Sequence, residues 1–197
     1  MHGLVNATLQ CFVADTYGAK TWGAVLRRAD LSGTEFEAML VYDDAVTARL
    51  VAGIAAELAR PADTVLEDVG HYLVSHARRA GLRRLLRFSG RDFRDFLHAL
   101  DELPDRVRLA VPDLDLPRIE LRALSPEGAL IACRNDLPGA SHVLLGLLRA
   151  MADDYGALAY LDLARGEGGT DVISVRVASE AFSEGRAFSL AAEGARR

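Results

Sequence analysis

Side chains able to hold a metal or move a proton are few in this sequence and badly spaced for either task. The five histidines are His2, His71, His76, His98 and His142. Only His71 and His76 fall close together on one helical stretch, and their i, i+5 spacing is poor for two ligands on one face. Ser141 stands beside His142, a nucleophile type next to a base type. Adjacent helical residues point about 100° apart, and no Gly-x-Ser-x-Gly elbow surrounds the pair. Ser141 is therefore expected to cap a helix N-terminus. The acidic pairs Asp43–Asp44, Asp101–Glu102 and Asp153–Asp154 are expected as solvated charge on outer helix faces or at helix ends. Residues 166–169 read Gly-Glu-Gly-Gly. A phosphate loop needs a helix N-terminus after it; a strand follows here, so a hairpin turn is expected. Cys11 and Cys133 sit far apart, which excludes a disulfide framework or a zinc knuckle. No catalytic constellation emerges, and the chain is not expected to be an enzyme.

The elements that would position a site are easier to read. Half of the 197 residues are hydrophobic, enough for a sizeable core, and the net charge is −5. Lys20 is the single lysine among 23 basic residues, a pattern expected from codon bias in a GC-rich, bacterial genome. No segment carries the excess of base that a nucleic-acid partner requires. No stretch approaches the roughly 18 apolar residues of a membrane span. No signal-peptide pattern opens the chain, and a cytoplasmic protein is expected. Residues 4–18 place Leu4, Val5, Leu9, Phe12 and Val13 on one helical face, ended by Gly18. Helices follow over 21–31, over 42–60 with Asp43 or Asp44 as cap, over 62–81 and over 91–103. The last carries Phe93, Phe96, Leu97, Leu100 and Leu103 along one stripe. Beyond Pro117 the period changes to the alternation of strands, over 118–124, 128–134, 157–164 and 171–178, with one more helix over 141–156. The fold class is α+β, with a helical lobe (1–110) packed on an antiparallel sheet lobe (111–190) and a tail (191–197) in one domain. Apolar helix surface facing a curved sheet can enclose a hydrophobic ligand.

The opening MHGLVNATLQCFVADTYGAKTWGAVLRRADL resembles the start of the heme nitric oxide/oxygen-binding (H-NOX) family, which includes the heme domain of soluble guanylate cyclase. The resemblance continues, in order, through MLVYDDAVTARLVAGIAAEL, LEDVGHYLVSH, LLRFSGRDFRDFLHALDELPDRV, VPDLDLPRIEL and HVLLGLLRAMADDYG. It implies a heme between the helical and sheet lobes, with a single histidine on the iron and a Tyr-x-Ser-x-Arg motif clamping the propionates. It further implies that nitric oxide weakens the iron–histidine bond and shifts that helix. A partner in trans, a sensor kinase or a nucleotide cyclase, reads the shift.

At both heme-holding places this sequence departs from the family pattern. In LDELPDRV the ligand position is Pro104, whose amide nitrogen and hydrocarbon ring have no lone pair for iron. Proline also lacks an N–H and is expected to disturb the helix there. The clamp positions read Cys133, Asn135 and Leu137, so the bidentate arginine–carboxylate contact is gone, and Arg134 alternates to the other face. His98 lies six residues before Pro104, about 240° around the helix, opposite the apolar stripe, and is expected at the surface. By position, Val5, Leu73, Val74, Ala77, Val143 and Leu147 would line the distal side. Val143 stands where oxygen-holding relatives carry a tyrosine, so a heme here would favour nitric oxide and carbon monoxide. The expected function is an H-NOX-type sensory domain with a degenerate heme site, holding no heme or another apolar ligand. Two alternatives remain: a heme sensor with another axial ligand, for which His98, His71 and Cys133 are weak candidates, and a heme-free protein-interaction module.

Overall fold

The computed structural model describes residues 1–114, 116–125, 128–134, 138–166 and 169–187. Helix α1 (Gly3–Tyr17) starts where His2 Nδ1 accepts the Leu4 N–H at 3.1 Å, and it stops at Gly18 with φ +91°. Helix α2 (Ala19–Arg28) follows directly. Asp43, rather than Asp44, caps α3 (Asp44–Leu58) by accepting the Ala45 N–H at 2.9 Å, and Pro61 leads into α4 (Ala62–Ser75).

From there the helices are shorter than the sequence pattern suggests. The helix expected to run to 81 ends at Ser75, because His76 is extended. A 3-10 turn (Ala77–Arg79) leads into α5 (Ala80–Arg87). The helix expected over 91–103 is cut into α6 (Phe93–His98), a 3-10 turn (Leu100–Glu102) and α7 (Leu103–Ala110). Strands β1 (Arg118–Ser125) and β2 (Gly128–Arg134), helix α8 (Ala140–Tyr155), and strands β3 (Leu158–Arg165) and β4 (Thr170–Ser179) complete the described chain. The four strands form one sheet in the order β1-β2-β4-β3, every pair antiparallel. The flanks of the glycine-rich stretch pair with each other, Arg165 opposite Asp171. Glu167 and Gly168 lie outside the described residues.

Burial divides into two apolar clusters. Leu9, Phe12, Val13, Leu50, Ile54, Val65, Val69 and Tyr72 belong to the first. The second begins at Val74 and joins Leu86, Phe93, Phe96, Leu97 and Leu100 to the sheet's inner face and α8. The division therefore falls within α4, and the side chains of α5 and α6 are packed with the sheet. Helices α4 and α8 meet backbone to backbone: a β-carbon at Gly70 would overlap the Val143 carbonyl, and one at Gly146 the Glu67 carbonyl. Among the described residues, no helix is long and apolar enough to cross a membrane.

Candidate functional site

Pro104 is buried, and it is the second residue of α7. In the first helical turn an N–H has no intrahelical partner, so proline is tolerated there. The expected disturbance is absent for that reason: α6 has already ended at His98, where the Ala99 N–H bonds the Asp95 carbonyl. A new helix then starts around the proline. Asp92 caps α6 by accepting the Asp95 N–H at 2.8 Å, which aims Phe93, Phe96 and Leu97 inward.

Those side chains meet the sheet and the distal positions in one contiguous mass. Phe96, Leu97 and Leu100 are 1% exposed, Val74 1%, Leu148 0% and Cys133 0%, all in the same cluster as Leu147. These groups belong to one buried apolar cluster. Phe93 and Phe96 stack at 6.1 Å, and Tyr155 lies 6.1 Å from Phe96. Of the other positions assigned to the distal side, Val5, Leu73 and Val143 are half-buried and Ala77 is exposed.

At the clamp end, Cys133 sits on the inner face of β2, opposite Ile119 and Asp171. Asn135 and Leu137 lie outside the described residues. Arg134 is exposed on the outer face. Ser141 does not cap α8: Gly139 does, at φ +83°. The fully buried Ser141 instead donates its hydroxyl to the Asp171 carboxylate. A carboxylate of the chain itself thus lies beside Cys133, at the end where the resemblance puts the heme propionates. The sequence reading missed Asp171, whose only signal is its register opposite Cys133.

The histidines stand apart from this mass. His71 and His98 are exposed, with His71 held by Ser75 Oγ at 3.1 Å. The His76 ring lies tilted against Tyr72, 4.9 Å between centroids, and 3.8 Å from Asp15. His142 contacts Glu67 at 3.3 Å and Asp63 at 3.6 Å. Among the described residues, no three or more His, Cys, Asp or Glu side chains gather to hold a metal. One acidic expectation fails. Asp153 is exposed, but Asp154 is 1% exposed and paired with Arg83 at 2.6 Å. Elsewhere, the hydrogen bond from Tyr72 holds the Asp15 carboxyl below its usual value, aided by Arg78.

Residues 2–159 match the protein family described as Haem-NO-binding. The chain belongs to that family. Over 158 residues, 80% of this chain, it is 25% identical to soluble guanylate cyclase 89Db of Drosophila melanogaster, covering 24% of that protein. It is 30% identical over 104 residues, 52% of this chain, to soluble guanylate cyclase gcy-35 of Caenorhabditis elegans, covering 15% of it. The chain spans about a quarter of the length of the Drosophila relative. The fold is that of H-NOX proteins. The Fe(II) unliganded H-NOX protein from K. algicida superposes with a TM-score of 0.75 at 17% identity, over 96% of this chain and 100% of that one. An Fe(II) H-NOX mutant from S. oneidensis gives 0.77 at 15% identity, over 91% and 97%. The family is thus the one the resemblance pointed to, and the α+β fold agrees.

Proposed function

We propose that this chain is a sensory domain of the Haem-NO-binding family whose heme site is closed, and that it signals to a partner in trans without an iron–histidine bond. The observation that carries the reading is Pro104, buried at the ligand position, together with the cluster of Phe96, Leu97, Leu100 and Cys133, which are 0–1% exposed. The residues there do not fit a heme held in the family's manner. There is no donor at position 104, and the Ser141–Asp171 pair presents a carboxylate where a propionate would need a cation. The distal set Val5, Leu73, Val74, Ala77, Val143 and Leu147 has no hydrogen-bonding side chain to hold oxygen. The partner belongs to the class the relatives' names suggest, a nucleotide cyclase, or to the sensor kinases.

Cys133 favours one second reading, in which heme displaces the packing and takes this buried sulfur as its ligand. An absorption spectrum of protein purified from heme-supplemented cells, with a heme titration beside it, separates the two. The closed-site reading expects no Soret band and no saturable heme binding. A stoichiometric Soret band that moves on adding nitric oxide overturns it, and loss of that band in Cys133→Ser then assigns the ligand. A rise in melting temperature with a tetrapyrrole would also count against a closed site, because a ligand of the folded state stabilises it.

A further inference from the structure

The outer face of the sheet gathers three arginines in one place. Many arginines of the helical regions find carboxylates: Arg28 with Glu57, Arg60 with Asp68, Arg83 and Arg87 with Asp154, Arg106 with Glu102, Arg149 with Glu67. On the strands, Arg118, Arg122 and Arg134 make no ion pair among the described residues. These three line one depression of about 110 Å³ with Glu120, Ala132 and Thr170.

Its construction runs against ordinary sheet pairing. Arg118 lies directly opposite Arg134 across the β1–β2 ladder, and like charges facing each other across strands are unfavourable. Arg134 in turn lies opposite Thr170 on β4, so two guanidinium-bearing residues and a hydroxyl form one row across three strands. Arg122 is the extra residue of a β-bulge between Leu121 and Ala123. Bulges re-aim side chains and recur beside functional sites. With Glu120 counted, the depression carries a net charge of +2.

We propose that this depression is an anion site that takes a phosphate group. A phosphate monoester carries about −1.5 to −2 at neutral pH, which matches the site's charge; a single carboxylate would neutralise half of it. Guanidinium forks fit phosphate oxygens in pairs, and the Thr170 hydroxyl adds a neutral donor. The site lies on the sheet face away from Pro104 and Cys133, so it is independent of whether heme binds.

Calorimetric titration of the whole chain with inorganic phosphate and, separately, with adenosine monophosphate tests it. The expected result is saturable one-site binding of at least one of them. That binding should weaken by roughly tenfold or more, the loss of charge-assisted hydrogen bonds, in Arg118→Gln/Arg134→Gln, at an unchanged melting temperature. Thr170→Asp, which puts a negative charge into the depression, should abolish it with all three arginines in place. Equal binding of both compounds makes the phosphate group itself the determinant; binding of the nucleotide alone makes an ester the source. Absence of saturable binding of either at millimolar concentration, or undiminished binding in both variants, overturns the proposal.

Discussion

Two groups of three arginines meet opposite fates in this molecule. Arg83 and Arg87 on α5 and Arg186 beyond β4 surround Asp154, at 2.6, 3.6 and 3.9 Å. The carboxylate is 1% exposed, and the α5 arginine side chains are 15% and 13% exposed. Arg83 also donates to the carbonyls of Arg186 and Ala187. The pairing therefore ties α5, α8 and the segment after β4 together. Arg118, Arg122 and Arg134 share a depression and make no ion pair among the described residues. An unmatched charge in the interior is severely unfavourable, whereas one in water is not. The chain matches its charges where burial demands it and leaves them open where solvent can carry them. Breaking the buried group should have the largest effect. Asp154→Ala leaves two mostly buried guanidinium groups uncompensated and should destabilise by about 3–5 kcal/mol, read from the denaturant midpoint. A loss below about 1 kcal/mol, the scale of a surface pair, would erase the distinction between the two groups.

Neither group could be read from the sequence, and the reason is distance along the chain. Arg83 and Asp154 are 71 residues apart, and Ser141 and Asp171 are 30 apart. No local period records such contacts, so Asp154 passed for half of a solvated pair. Arg118 faces Arg134 only once the β1–β2 register is known. Elements with strong local signals are legible: α1 ends at its glycine, α3 is capped by Asp43, and β2 spans 128–134 as expected. Helix α5 is not. Its eight residues, Ala-Gly-Leu-Arg-Arg-Leu-Leu-Arg, are too few to signal alone, and it is held by Asp154 and by the burial of Leu86. From sequence, Pro104 is expected to disturb the helix; the chain instead places it in the first turn of a new one. Pro104 and Cys133 stood out through the family resemblance. The burial of Cys133 within the apolar cluster is tertiary and has no local sequence signal.

The buried group can be probed more gently through Tyr155. Arg87 lies over its ring at 3.9 Å, and its hydroxyl donates to the Gly90 carbonyl at 3.0 Å. Burial pushes the Tyr155 hydroxyl up to about 12, against the opposing pull of Arg87. The folded value exceeds the unfolded one near 10, so the fold favours the neutral phenol. That contribution is fully present below pH 10 and is lost as the pH rises toward 12. Tyr72 is also raised, by burial and by its hydrogen bond to Asp15, and acts in the same direction. A melting series across this alkaline range should fall more steeply for the natural chain than for Tyr155→Phe. At neutral pH that variant should lose only about 0.5–1.5 kcal/mol, one hydrogen bond's worth. Equal alkaline slopes would mean that Tyr155 is not held neutral by its burial.

The smallest effect is expected from giving the sheet group what the buried group already has. Thr170→Asp would set a carboxylate in the row of Arg118 and Arg134. In an exposed site the gain should stay below about 1 kcal/mol, reduced by the weaker strand preference of aspartate. Its signature is salt dependence rather than size. The gain should be present at low ionic strength and shrink as added salt brings the Debye length from about 30 Å toward about 8 Å. Asp154, shielded from solvent, should show little such screening in parallel measurements on Asp154→Ala. A Thr170→Asp gain indifferent to salt would mean that the depression is less open than its exposed arginines imply. A destabilisation at low salt would mean that Glu120 dominates the local field and that the three guanidinium groups do not act on one anion. A salt response at one site and its near absence at the other are what a chain should show when one arginine group is completed by folding and the other is left for a ligand to complete.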